Sequence, residues 1–277
     1  MKHSSPPRRR SAGRLVSIFG VVSSSLAHCA ASAPRAMAEG DIPFPHPVIT
    51  EVLFNVPRGD DGDANKDGTR DAAGDEFIEV MNPHDKPINL RGYVLTSRLT
   101  TDDDASKRGV RFVFPDCELP PGKVAVVFNG HDAEIPGPVG TAKSQPKEPN
   151  PDFAGAAVFT MGGGSQRVFA NGGDFVLLSA PAGERIDCIW WGESDPEPPD
   201  DVLRSAEVVK DPKGSVQRES PDKNPIPHID LDGRACSPGE IPNPRPGQAK
   251  SRERDNPPEE SGRRPPAPAA PGSEEDE

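Results

Sequence analysis

The sequence predicts an all-β fold, and three observations carry that expectation. Pro and Gly are abundant, at 35 and 27 of 277 residues, whereas the pair together usually makes up roughly 12% of a chain. Proline removes a backbone donor and clashes inside a helix, so such a chain is not helical throughout. Short runs rich in Val, Ile and Phe alternate with turn clusters, the pattern of antiparallel strands. No segment keeps an apolar 3.6-residue period over three turns.

The elements follow in order. A proline-containing lead-in spans 39–46, and strands are expected over Val48–Phe54, Glu76–Met81, Tyr93–Ser97, Val110–Phe114 and Lys123–Phe128. Further strands are expected over Gln166–Ala170, Asp174–Ser179, Arg185–Trp191 and Ser215–Arg218. Turn formers separate them, as in Pro120-Pro121-Gly122, Asn171-Gly172-Gly173 and Pro181-Ala182-Gly183. Asp200–Val209 is the one segment expected to be a short helix. Two long loops stand out: 56–75 is dense in Asp, Gly and Asn, and 130–165 is rich in Pro and Gly with little to bury. Loops of that length are usually functional, or are held by something other than a core. Phe77, Ile78, Val80, Val94, Leu95, Val126, Phe128, Val176 and Leu178 are the expected core. Trp190 and Trp191 are adjacent on a strand, so they should point to opposite faces, one into the core and one toward solvent.

Composition and charge narrow the functional class. Residues 1–38 hold Lys2, Arg8, Arg9, Arg10, Arg14 and Arg35 and no acidic residue, followed by an apolar stretch from Leu15 to about Ala30 and the small-x-small site Ala36-Met37-Ala38. This three-part pattern predicts a signal peptide over 1–38 and a secreted, cell-surface or periplasmic product. Leu26-Ala27-His28-Cys29 also resembles a lipoprotein box, which would anchor a lipid at Cys29. No later apolar run reaches the roughly 20 residues that span a bilayer. Removing 1–38 moves the formal charge from −12 to −18. So acidic a chain repels phosphates and attracts cations, so no nucleic-acid partner is expected. Cys117, Cys188 and Cys236 remain, an odd number, and the sequence does not choose a pair among them. The low aromatic content, 5%, argues for one core, with a domain over 45–244 and a disordered Pro/Glu-rich tail over 245–277.

The strands carry an ordered set of landmarks. Asp75-Glu76-Phe77-Ile78-Glu79 is followed by Asn82-Pro83, then Leu90-Arg91-Gly92-Tyr93-Val94-Leu95, Asn171-Gly172-Gly173-Asp174-Phe175, Ile186-Asp187 and Ser215-Val216-Gln217-Arg218. Together they resemble the lamin-tail domain family in its bacterial exported form, over about 45–244, with 130–165 as an insertion. The resemblance implies an immunoglobulin-like β-sandwich, in agreement with seven or more short strands separated by frequent turns. It also implies an accessory role, attaching or targeting, since such domains often stand beside enzymes.

The sharpest chemical motif is Asp63-Ala64-Asn65-Lys66-Asp67-Gly68-Thr69-Arg70-Asp71. Oxygen ligands fall at positions 1, 3, 5 and 9 (Asp63, Asn65, Asp67 and Asp71), the Thr69 carbonyl at 7, and Gly68 at 6 for the sharp turn. That is the spacing by which one short segment wraps a hard calcium ion. Position 12 is Gly74 in place of a bidentate Glu, with Asp75 and Glu76 as the nearest substitutes. Calcium is the expected ligand.

Other motifs are weaker. Asp230-Leu231-Asp232-Gly233 and Asp102-Asp103-Asp104 read as turns, and Gly162-Gly163-Gly164-Ser165 lacks the Lys-Ser/Thr of a phosphate loop. His46, His84, His131 and His228 are scattered, with no H-E-x-x-H and no G-x-S-x-G. Glu76 and Glu79 lie on opposite faces of one strand and cannot pair from it. The sequence therefore predicts a non-enzymatic binding or structural module, stabilised by calcium, with an unidentified extracellular or envelope partner. A calcium-dependent extracellular hydrolase and a surface lipoprotein carrying the same domain are the alternatives.

Overall fold

The computed structural model describes residues 42–98, 109–162 and 168–241. The expected signal peptide, the Cys29 lipid site, Asp102-Asp103-Asp104, Gly163-Gly164-Ser165, the start of the run Gln166–Ala170 and the tail from 245 lie outside these residues.

Strands appear where the β-branched and aromatic runs stand: β1 (Val48–Leu53), β2 (Phe77–Met81), β3 (Ile88–Asn89), β4 (Val94–Ser97), β5 (Arg111–Val113), β6 (Glu118–Leu119) and β7 (Val124–Phe128). They continue as β8 (Ala157–Thr160), β9 (Gly173–Ser179), β10 (Arg185–Gly192), β11 (Arg204–Val208), β12 (Val216–Gln217) and β13 (Ile226–Pro227), with one short helix, α1 (Ile229–Asp232). The first sheet has the order β13-β12-β1-β2-β7-β8, the second β11-β10-β9-β4-β5, and β3-β6 form a small ribbon. All pairs are antiparallel except β7–β8 and β10–β11. The result is an immunoglobulin-like β-sandwich.

Two expectations about local structure are corrected. Asp200–Val209 is not a helix; its centre is β11, parallel to β10. Arg204, Ala206 and Val208 are buried while Ser205 and Glu207 face outward, a period of two that fits a strand. The loop 130–165 is not empty of core. It contributes β8 and buries Phe153, Ala156, Val158 and Phe159. Its proline-rich flanks conceal a four-residue strand, too short to dominate the composition around it. Of the expected run Gln166–Ala170, the described part is irregular, yet Val168 and Phe169 are buried.

The core sits between the sheets and beneath the covers of the first sheet. Every residue of β1, β2 and β7 is buried. Pleating puts Phe77 with Leu53 and Phe128 on one face, and Ile78 with Val52 and Val127 on the other. Phe153 packs on the first of these faces, 5.3 Å from Phe128 between ring centroids. The expected core residues are buried, except that Val94 is only half-buried. Trp191 is fully buried and stacks on Phe54 with centroids 3.8 Å apart and planes 8° from parallel. Its indole N–H donates to the Ala170 carbonyl at 2.9 Å, which satisfies the one polar atom of the ring. Trp190 takes the opposite face, half-buried against Phe175, Leu177 and Cys188.

One buried carboxylate ties the sheets together. Asp187 of β10 accepts the backbone N–H of Ile49 in β1 at 2.9 Å, and pairs with Arg204 at 3.0 Å and Arg218 at 3.1 Å. Arg218 also donates from Nε to the Ile49 carbonyl at 2.8 Å. Burial lowers the Arg218 pKa to about 10, against the pull of Asp187. Among the described residues, Cys117, Cys188 and Cys236 are free thiols.

Candidate functional site

The acidic loop joins β1 to β2 and is folded by its own side chains. Arg70 anchors it, donating to the carbonyls of Pro57 at 2.9 Å and Val56 at 2.8 Å. Asp63 Oδ2 accepts the Gly68 N–H at 3.0 Å, and Asn65 Oδ1 accepts that of Asp67 at 3.0 Å. Asp67 Oδ1 accepts the Thr69 N–H at 2.8 Å, and Asp71 Oδ1 accepts those of Ala73 and Gly74 at 2.9 and 2.6 Å. Asp and Asn serve here because their short side chains reach backbone donors two to five residues ahead. Gly68 has φ 87°, a left-handed conformation that favours glycine. Lys66, with φ 62°, turns the chain at the same bend and lies over the Phe153 ring, 4.8 Å from its centroid.

Asp75 is the hub of the loop. It is fully buried, its Oδ1 accepting the Asn65 N–H at 3.0 Å and its Oδ2 the Asp71 N–H at 2.6 Å. Burial pushes its pKa up to about 6; those two amides oppose the rise and the charges of Asp63 and Asp67 add to it. Asp71 is held below the usual carboxylate range, chiefly by the Gly74 amide, with Ala73, His131 and Arg70 adding to the effect against partial burial. Asp63 Oδ1 and Asn65 Nδ2 are buried without a hydrogen-bond partner. All five expected calcium ligands, Asp63, Asn65, Asp67, Thr69 and Asp71, therefore belong to one coiled segment. Among the described residues, however, no three His, Cys, Asp or Glu side chains are grouped closely enough to hold a metal ion. Asp75, the nearest substitute for the missing position-12 carboxylate, spends both oxygens on the backbone of the loop.

Beside the loop lies an open cleft of about 410 Å³. One wall is Asp60, Asp61, Asp63 and Lys66; the other is Lys213 and the segment from Gly233 to Glu240. Arg234 is paired within that segment, to Asp232 at 2.7 Å and Glu240 at 2.9 Å.

Behind this segment the first sheet carries an acidic cluster that spacing along the chain does not reveal. Glu51 and Glu79 are cross-strand neighbours and fully buried. An extra residue in β1, between Ile49 and Glu51, adds Thr50, whose hydroxyl donates to Glu79 at 2.6 Å. Glu51 accepts from Ser215 Oγ at 2.5 Å, Gln217 Nε2 at 3.1 Å and the Ser237 N–H at 3.0 Å. Glu79 accepts the Gly239 N–H at 2.8 Å. Burial, reinforced by the Glu51 charge, holds the Glu79 pKa well above the carboxylate range. Glu76 goes elsewhere, toward Asp174, and burial raises its pKa strongly too. His228, also fully buried, has Nδ1 3.3 Å from Glu51 and Nε2 3.1 Å from Asp232, neither in hydrogen-bond geometry. None of His228, Glu51 and Asp232 lines the cleft, and His131 pairs with Asp132 at 3.3 Å. This is a buried seam rather than an open catalytic constellation.

The landmarks now have structural roles. Ser215, Gln217 and Arg218 dock on Glu51 and Asp187, and Asn82 closes its turn by donating to Lys86 and Leu119 carbonyls at 2.8 and 2.9 Å. The family model described as Lamin Tail Domain matches residues 45–193. The chain belongs to the lamin tail domain family. Lamin tail domains are non-enzymatic immunoglobulin-like modules, in keeping with the fold seen here. No curated protein matches the chain. The family match ends just after β10, whereas the sandwich of this lamin tail domain goes on: β11 extends the second sheet and β12 and β13 extend the first. Among the described residues, no helix is long and apolar enough to cross a membrane.

Proposed function

We propose that this lamin tail domain is an exported binding or structural module whose acidic loop takes up calcium, working outside the cell or at its surface on an envelope or extracellular partner. The pre-coiled segment Asp63–Asp71 carries the reading. Asp63, Asn65, Asp67 and Asp71 each use an oxygen to fix the backbone, and Asp63 keeps a buried oxygen without a partner. A hard divalent cation suits that oxygen-rich, anionic set. Binding would draw Asp63, Asp67 and Asp71 inward with Asn65 and the Thr69 carbonyl, and offset the repulsion that Asp75 feels from Asp63 and Asp67. The net charge of −12 disfavours a nucleic-acid partner.

Calorimetry at millimolar calcium tests the reading. Extracellular calcium modules bind at roughly 0.1–1 mM. Calcium at ten to a hundred times the dissociation constant adds about 1.4–2.7 kcal/mol, enough to raise the melting temperature by several degrees. Asp67→Ala should abolish both the heat and the shift while leaving the calcium-free melting temperature within a degree or two. Absence of heat and of any shift in the unaltered protein would sink the calcium reading.

A further inference from the structure

The two buried carboxylates Glu51 and Glu79 both receive the segment that follows β11. Glu51 takes Ser215, Gln217 and Ser237, and Glu79 takes Gly239. The same segment supplies a wall of the cleft, from Gly233 to Glu240. We propose that residues 233–241 form a pH-released latch, docked on Glu51 and Glu79 in acid and let go in alkali, so that the cleft beside the acidic loop exists only in the docked state.

The charges facing the seam set the direction. From β1 comes Glu51 and from β2 Glu79; from the residues after β13 come His228, Asp232, Arg234, Cys236 and Glu240, and from the acidic loop Asp75 and Lys66. Arg234 is taken up by Asp232 and Glu240, and the Cys236 thiol stays protonated because burial and the Glu51 charge push its pKa far up. At acid pH the Glu79 carboxyl is held neutral beside Glu51 on the neighbouring strand. At alkaline pH Glu79 gives up its proton and stands as a second carboxylate beside Glu51. Two anions side by side in a dry seam repel strongly.

Linkage gives the same sign. Folded Glu79 holds its proton above the ordinary glutamate range, whereas a released Glu79 gives it up near 4.5. The docked state therefore binds more protons through the interval above that value, and its stability falls as pH rises until the folded group has itself titrated. Asp75, Glu76 and Asp174 have raised pKa values as well, so global stability drifts the same way. The latch is distinguished by being local.

Hydrogen exchange of the full chain at pH 5 and pH 9, with chelator present and rates corrected for intrinsic chemistry, tests it. The Ser237 and Gly239 amides, which donate to the two carboxylates, are the reporters, and Val124–Phe128 is the internal reference. Protection of the reporters relative to the reference should fall at least about tenfold from pH 5 to pH 9, the effect of one pKa unit of linkage. Glu79→Gln, which keeps the shape and cannot ionise, should hold the fall below about threefold. Equal protection of reporters and reference at both values, or a Gln variant that loses the segment as the unaltered chain does, would overturn the latch.

Discussion

Asp187 shows how much one side chain can organise. A buried anion beside two buried guanidinium groups costs desolvation on all three, and the cost is met only because their hydrogen bonds are nearly all used. Arg218→Met therefore removes a partner of Asp187 and the donor to the Ile49 carbonyl at once. It should destabilise the protein by about 3–5 kcal/mol in urea denaturation, the range for breaking a buried pair. Arginine at 218 was legible as part of the Ser-Val-Gln-Arg landmark, but its partner was not, because 31 residues separate the two in sequence. The tryptophans were legible in part. Adjacency placed them on opposite faces, and the contacts of Trp190 with Phe175 and Leu177 then kept the outer one from standing free in solvent.

Among the elements, β11, β12 and β13 matter most beyond the family match. The strand β11 reads ambiguously because Arg204 fills an inward position where an apolar residue would mark the alternation, and partners such as Asp187 and the Pro221 carbonyl make that position acceptable. The strand β8 hid for a different reason, being short and set among prolines and glycines. A chain ended at Glu193 should fail to show a cooperative thermal transition by calorimetry, since it leaves Glu51 and Asp187 without most of their partners and Glu79 without the Gly239 amide. A chain ended at Ile241 should melt like the full protein. If the shorter chain melted cooperatively near the full-length temperature, the segment after β10 would be an appendage and not part of the sandwich.

For the whole molecule, acidity and proposed export belong together. Removal of residues 1–38 leaves a formal charge of −18, which favours cations as ligands. Mass spectrometry of the protein recovered from outside the producing cell should find a chain starting at Glu39; a lipid-modified Cys29 would instead mark an anchored form. What the sequence determined by itself was the fold class, the order of the main strands, the family and the acidic loop. Those are local facts, written in alternation, turn residues and the spacing of oxygen donors within one short segment. Only the tertiary structure decided that Asp75 clamps that loop from within, that Glu51 meets Glu79, and that residues from Ser215 to Gly239 are docked on the two. Such meetings depend on which strands become neighbours and on a single extra residue in β1, and no spacing along one strand can announce them.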